Sequence, residues 1–243
     1  MPQPALSKSS MPARFQSEDA RQYTYRIIRS CILELRLFPG QKMNEADLAS
    51  TLDTSRTPVH DTLIKLSREN LVDIVPQRGA FVSRIDCRRI EQAVWLHTSL
   101  GIFALQTIFI RNVRKNQMDD LYYCLHQMDE SLYSGNLVQA SRLVCSYYHQ
   151  LYILAGNMEL IWDSLMKVDV DLYRILYLAT SSCAVVEGFL CELTDLTEAL
   201  AHRDNGKACQ IYAHHLSRIL MLLPHLRQHN PEYFICDTED AAS

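Results

Sequence analysis

The chain has 243 residues and a formal net charge of −4, with 48% hydrophobic and 21% charged residues. This composition supports one or two domains with a hydrophobic core and excludes a chain that is disordered throughout. Glycine and proline number only 7 and 8. Because both residues interrupt regular structure, their scarcity favours a mainly helical protein.

The charge is unevenly distributed along the chain. Residues 1–85 contain 12 Lys and Arg against 9 Asp and Glu, whereas residues 86–243 contain 12 against 19. A basic N-terminal part is what contact with nucleic-acid phosphates requires.

The eight cysteines show no CxxC spacing and are spread over predicted helices. This favours reduced, buried thiols over a disulfide scaffold. No apolar run approaches the roughly 20 residues of a membrane span, and no signal-peptide pattern opens the chain. The sequence therefore predicts a cytoplasmic protein without a membrane partner.

The N-terminal part begins with a predicted tail and one helix. Residues 1–16 are rich in Pro and Ser and lack periodicity, which predicts disorder. Ser17 is predicted to cap the first helix. That helix should end near Leu37, because Pro39-Gly40 cannot continue it.

Two short helices and two strands are predicted next. Asn44 caps a second helix, and Ser55 or Thr54 caps a third, whose first turn accommodates Pro58. Residues 71–75 and 80–83 alternate like strands, with Gly79 supplying the turn between them. The order predicts a winged helix-turn-helix domain over residues 17–85, with three helices and a two-stranded wing.

The rest of the chain reads as helices only. We predict an all-α antiparallel bundle over residues 86–230, because the loops are short. The acidic end, 231–243, is predicted to fray. The fold class is therefore mainly α, a winged helix-turn-helix followed by a bundle of about six helices: 89–112, 117–133, 136–155, 158–179, 184–202 and 205–227.

The strongest functional signal lies at the start of the third helix. Hydroxyls, backbone amides and the helix dipole favour phosphate there, and an arginine can reach a phosphate or a guanine edge. A wing tip with Arg and Gly can enter the minor groove. The predicted DNA-contacting residues are Asn44, Ser55, Arg56, Thr57, His60, Lys65, Arg78 and Gly79.

This stretch resembles the GntR superfamily of bacterial transcription regulators. The resemblance spans residues 25–83, where order, spacing and wing agree with the family pattern. The pattern usually has Arg-Glu where this chain has His60-Asp61, which implies an atypical operator. The matching residues are Pro39-Gly40, Asn44-Glu45, Asp47-Leu48-Ala49, Ser55-Arg56-Thr57-Pro58-Val59, Leu63, Leu66, Leu71-Val72 and Arg78-Gly79-Ala80-Phe81-Val82. A winged helix used only for protein contacts is the alternative.

The helical part is similar to the FCD-type effector domain of the FadR subfamily. The segments HQLYILAGNMEL (149–160) and ALAHRDNGKACQIYAHHL (199–216) carry this likeness, and about six helices suit the VanR-like branch. Many such domains hold a divalent metal by one Asp and three His, and the metal can bind a carboxylate effector.

Mapped onto this chain, the family's four metal positions read Cys145, His149, Leu193 and His215. The family's pocket arginine falls near His97, and Tyr152 is a further candidate for the pocket.

Three interpretations remain open. In the first, the metal site is lost and the cavity binds an organic ligand or nothing. In the second, Cys145, His149 and His215 hold a zinc ion with water as the fourth ligand. In the third, the two histidines are hydrogen-bonded core residues without a ligand role. No cofactor other than this zinc is predicted.

The resemblance implies a transcription regulator that binds a palindromic double-stranded DNA operator as a homodimer. It also implies that the protein acts as a repressor, which is the commoner mode of regulation in such families. A small effector, a carboxylate by family analogy, would modulate it. The first alternative is an effector-independent dimeric DNA-binding protein. A metal-dependent enzyme is a second alternative, but we find no Ser/His/Asp set, phosphate loop or HExxH motif, and predict that the protein is not an enzyme.

Overall fold

The computed structural model describes residues 11–235, which divide into two compact units. The first unit runs to Cys87 and also takes in the chain from Arg227 onward, whereas the second comprises Arg88–Leu226. The sequence predicted the division between residues 85 and 86.

The first unit contains three helices and three short strands, in the predicted order. Asp19, rather than the predicted Ser17, caps the first helix. The Asp19 side chain accepts a hydrogen bond from the Gln22 amide, and the Gln22 side chain accepts one from the Asp19 amide, each at 2.8 Å. This reciprocal pair satisfies two amides at the helix start. The elements are α1 (Ala20–Leu33), β1 (Lys42–Met43), α2 (Glu45–Thr51), α3 (Arg56–Arg68), β2 (Val72–Val75) and β3 (Gly79–Val82).

The sheet has one strand more than the sequence predicted. It is antiparallel with the order β1-β3-β2, and Lys42 of β1 pairs with Phe81 of β3. A two-residue strand is too short to show an alternating pattern, which explains why it was missed. The wing turn is formed as predicted, since Gly79 has a φ of +102°.

Residues 231–235 belong to the first unit. The Ile85 amide donates to the Tyr233 carbonyl at 2.8 Å, the Ile235 amide donates to the Ile85 carbonyl at 3.0 Å, and Phe234 is buried. The predicted frayed tail is therefore wrong for residues 231–235, because Phe234 is buried and both of its neighbours hydrogen-bond to Ile85. Residues 236–243 lie outside the described residues. The first ten residues of the predicted disordered tail also lie outside the residues that the structure describes. Residues 11–16 form an irregular segment, in which the Arg26 guanidinium lies over the Phe15 ring.

The second unit is helical, and its breaks fall largely where the sequence indicated them. Asn112, Gly135 and Asn157 all adopt positive φ at predicted breaks. The predicted helix 158–179 is instead divided at Asp169, so that seven helices rather than six occur within residues 87–229. They are α4 (Cys87–Ile110), α5 (Asp119–Tyr133), α6 (Leu137–Leu154), α7 (Glu159–Val168), α8 (Val170–Ala179), α9 (Cys183–Ala201) and α10 (Asn205–His229).

Helix α4 is unusually apolar. It is the one unbroken helix among residues 11–235 that is long and apolar enough to cross a membrane by length and composition, with a mean hydropathy of 1.6 in its best window. The sequence prediction had found no such stretch. Buried core helices pass the same test, and the buried residues of α4 recur at helical spacing: Ile90, Ala93, Val94, His97, Gly101, Ala104, Leu105 and Ile108.

Candidate functional site

Helix α3 has one buried face and one exposed face. Val59, Leu63 and Leu66 recur at spacings of four and three and are at most 2% exposed, so they anchor the helix in the core. This packing turns Arg56 and His60 outward, one helical turn apart. The structure thus presents the start of α3 to solvent, as a helix that enters a DNA groove requires.

All eight predicted DNA-contacting residues lie exposed in the first unit. Asn44 caps α2 as predicted, since its side chain accepts a hydrogen bond from the Ala46 amide at 2.9 Å. Ser55 occupies the cap position of α3 without forming a side-chain cap hydrogen bond. Its hydroxyl and the first amides of α3 are therefore suited to bind an anionic oxygen.

The three basic side chains of this set differ in their surroundings. Within residues 11–235, Arg56 and Arg78 form no ion pair with the protein. Lys65 instead lies with its Nζ 3.4 Å from the ring centroid of Tyr25 on α1. The Tyr25 hydroxyl donates to Glu69 at 2.6 Å, and burial together with this carboxylate raises the pKa of Tyr25 to about 12. Arg56 and Arg78 are thus the better-placed groups for phosphate or base contact.

His60 has a partner that the sequence did not reveal. Its Nδ1 lies 2.9 Å from Oε1 of Glu45, the first residue of α2. The hydrogen bond to Glu45 raises the pKa of His60 above its usual value. Two residues 15 positions apart on different helices leave no periodic signal, so only the fold brings this contact to light.

The wing places Arg78 at the tip of a turn. Gln77 and Gly79 on either side adopt φ values of +62° and +102°. A Cβ on Gly79 would make ordinary contact with Lys42 at 3.6 Å, so the constraint on Gly79 is its backbone conformation rather than space.

The pocket candidates of the second unit are distributed over four helices. His97 lies on α4, Leu193 on α9 and His215 on α10, while Cys145, His149 and Tyr152 lie on α6. Leu193 is fully buried and its carbonyl accepts a hydrogen bond from the Tyr147 hydroxyl at 3.2 Å. Tyr152 is buried against Trp162, with ring centroids 5.7 Å apart, and burial raises the pKa of Tyr152.

His215 is fully buried, and both of its ring nitrogens have protein partners. Nδ1 lies 2.5 Å from Oε2 of Glu192, and Nε2 lies 2.5 Å from the Tyr148 hydroxyl. An ionised carboxylate only accepts, so Nδ1 carries the proton and the Tyr148 hydroxyl donates to Nε2. Burial lowers the pKa of His215 in spite of Glu192, which keeps the ring neutral.

The predicted metal ligands are not brought together. His149 turns its Nε2 to Glu159 at 2.9 Å and stacks on Trp162 with centroids 5.0 Å apart. Burial raises the pKa of the Cys145 thiol to about 12. In the part of the chain that the structure describes, no group of three or more His, Cys, Asp or Glu is arranged to hold a metal ion. The predicted metal site at Cys145, His149 and His215 is therefore corrected, because His149 contacts Glu159 and His215 contacts Glu192.

His97 forms a buried pair with Asp169, the residue between α7 and α8. Its Nε2 lies 2.5 Å from Oδ2 of Asp169, and both side chains are at most 3% exposed. Burial raises the pKa of Asp169, although His97 opposes the shift. Asp169 lies between Val168 and Val170, and this position between two apolar residues is the one sequence signal of its burial.

His97 also lines a small cavity. Its volume is about 10 Å³, enough for roughly one water molecule. Nδ1 of His97 and Oδ1 of Asp169 are buried and have no hydrogen-bond partner within residues 11–235. The cavity lining includes His97, Cys145, Tyr148, Trp162, Tyr173 and Leu216.

Comparison with known proteins agrees with this architecture. Residues 20–82 match the family model of bacterial regulatory proteins of the gntR family. The HTH-type transcriptional repressor RspR of Escherichia coli K12 is 25% identical over 218 residues, which cover 90% of this chain and 95% of that protein. An uncharacterised HTH-type regulator of Streptomyces ambofaciens is also 25% identical, over 89% of this chain and 90% of its own length.

Solved structures share the fold. A GntR-type regulator from Rhodococcus sp. RHA1 superposes with a TM-score of 0.71 at 18% identity, covering 84% of this chain and 97% of that one. E. coli McbR/YncC superposes with a TM-score of 0.70 at 18% identity, covering 87% and 98%.

The fold and the exposed α3 surface define a helix-turn-helix DNA-binding protein. Residues 20–82 are thus similar to the gntR family of bacterial regulatory proteins, and the chain as a whole is similar to HTH-type transcriptional regulators over most of its length.

Proposed function

We propose that this protein binds a specific double-stranded DNA operator through α3 and the wing, and so regulates transcription in the cytoplasm. The observation that carries the proposal is the exposure of Arg56 and Arg78 without protein ion pairs, beside α3 amides and hydroxyls that favour phosphate. The relative RspR is named a repressor, and we propose the same mode here.

We further propose that the protein acts as a homodimer. Helix α4 supports this, because Trp95, Phe103 and Ile110 are 71%, 53% and 80% exposed and lie along one stripe of the helix with Ser99 and Gln106. Large apolar side chains grouped on one surface are typical of protein interfaces. A two-fold dimer would match a palindromic operator with two half-sites.

The second unit is proposed to bind a small metabolite that modulates operator affinity. The buried Nδ1 of His97, which has no hydrogen-bond partner within residues 11–235 and whose side chain lines the cavity, supports a polar ligand. Because the cavity holds only about one water as it stands, neighbouring side chains would have to move. We propose no catalytic activity.

Thermal unfolding in the presence of small carboxylates, with and without zinc, tests the effector proposal. Saturating ligand at about 100 times its Kd should raise Tm by several degrees, since it adds about 2.7 kcal/mol of stability. The shift should be lost in His97→Gln. No shift with any compound would favour the effector-independent alternative.

The DNA-binding proposal predicts a specific loss for Arg56→Ala. We expect affinity for the selected operator to fall by about 1–3 kcal/mol, and affinity for random duplex of equal length to fall less. Fluorescence anisotropy on both duplexes measures the two losses.

The matched control is Arg114→Ala, which removes an exposed arginine from the second unit. It should leave both affinities unchanged. Equal losses on operator and random DNA in Arg56→Ala would show that Arg56 contacts phosphate alone, and no loss on either would contradict its place in the interface.

A further inference from the structure

The contact between Glu45 and His60 joins the two helices of the helix-turn-helix. Oε1 of Glu45 lies 2.9 Å from Nδ1 of His60, and the two side chains remain 40% and 57% exposed. Within residues 11–235, the opposite ring nitrogen, Nε2, has no hydrogen-bond partner. One nitrogen of the ring is therefore fixed by the protein, while the other is left for a ligand.

The chemistry of the carboxylate decides which nitrogen carries the proton. An ionised carboxylate only accepts hydrogen bonds, so Nδ1 of His60 must be the donor. In the neutral ring Nε2 then has a lone pair and accepts, whereas in the protonated ring Nε2–H donates. The major groove offers both partners, since guanine presents the acceptors O6 and N7 and adenine and cytosine present amino groups.

We propose that Glu45 makes His60 a base-reading residue whose preference follows its protonation state. The imidazolium donates from Nε2 to guanine, and the neutral ring accepts from the amino group of adenine or cytosine. His60 lies one turn beyond Arg56 on the exposed face of α3, so both side chains are available to one groove of bound DNA. The inference rests on the proposed DNA-binding function.

Two carboxylates near His60 favour its protonated form. Glu45 on α2 raises the pKa of His60 through its hydrogen bond and charge, and Asp61 on α3 adds a smaller rise. Asp61 is itself held by Arg21 of α1, at 3.2 Å. Protonation therefore occurs at higher pH than for an ordinary histidine.

The affinity for a guanine-containing DNA site should decrease as pH rises. Guanine and the nearby phosphates favour the charged ring, so binding to a guanine-containing site takes up a proton. Affinity for that site is highest below the pKa of the free protein and falls as pH rises toward the higher pKa of the complex.

The test is selection of duplexes from a random library by the full chain at about pH 6 and at about pH 8, either side of the ordinary histidine range. One position in each half-site should change from guanine at low pH to adenine or cytosine at high pH. The preference at that position should change by about tenfold or more, as expected for a good base contact.

Two variants separate this role from a structural one. Glu45→Gln offers an amide N–H to Nδ1, which allows the neutral ring to carry its proton on Nε2, so guanine should be selected at both pH values. His60→Gln should bind DNA with no pH-dependent position. Ring carbon chemical shifts should report opposite neutral tautomers in wild type and Glu45→Gln.

The outcomes are distinguishable from those of the broader proposal. The role of His60 is overturned if the enriched operator has the same bases at both pH values, or if His60→Gln keeps a pH-dependent position. Either result leaves the proposed DNA binding intact. Enrichment of no duplex by wild type overturns the proposed function and this inference together.

Discussion

Replacing Gly101 by alanine should destabilise the second unit by about 3 kcal/mol, because the new methyl group has no space. A Cβ at this position of α4 would lie 2.2 Å from Cε1 and the hydroxyl oxygen of Tyr212 on α10. Tyr212 is fully buried, and its hydroxyl donates to the His97 carbonyl at 3.4 Å, so the ring cannot move aside. Chemical denaturation followed by helical circular dichroism measures the loss.

The control for this prediction is Gly206→Ala in the first turn of α10. A Cβ there would approach only Asp204, at an ordinary 3.7 Å. Alanine also favours a helix by up to about 1 kcal/mol over glycine. We therefore expect Gly206→Ala to be neutral or stabilising, and comparable losses in both variants would contradict the packing of Tyr212 against α4.

The second large effect concerns a buried ion pair. Arg174 and Asp171 pair on α8 and are at most 2% exposed, and the partly exposed Arg89 of α4 lies 3.5 Å from Asp171. Arg174→Met removes the buried cation and leaves the buried carboxylate of Asp171 with the partly exposed Arg89 at 3.5 Å. Such a change typically costs about 3–5 kcal/mol.

The double variant Asp171→Leu with Arg174→Met tests the cause. Without the buried carboxylate, most of the lost stability should return, because apolar replacements of a buried pair are often neutral. Denaturation of the wild type, the two single variants and the double variant completes the cycle. A double variant as unstable as the sum of the single variants would show that the two charges do not interact.

Local chemistry accounts for what the sequence predicted correctly. The cap at Asn44, Pro58 in the first turn of α3 and positive φ at Gly79 are each dictated by one residue and its neighbours. The buried stripe of α3 follows from spacing alone. These features were sufficient to predict the winged helix-turn-helix and its exposed face.

Contacts between distant residues account for what was missed. Asp169, at the break in a predicted helix, faces His97, which lies 72 positions earlier in the chain. The predicted metal ligands occupy positions aligned by resemblance, but His149 turns to Glu159 and His215 to Glu192. Side-chain direction and partner choice depend on packing, which neither periodicity nor alignment encodes. The DNA-contacting roles of the eight exposed residues stay predictions.

The claim that α3 and the wing read DNA sequence is tested most directly by equilibrium binding of the full chain to a selected operator. The comparison is a scrambled duplex of the same length and base composition, measured at the same salt concentration. We predict a preference of about 10³-fold or more, as specific DNA-binding proteins show. Equal affinities for the two duplexes would contradict the claim that α3 and the wing read DNA sequence.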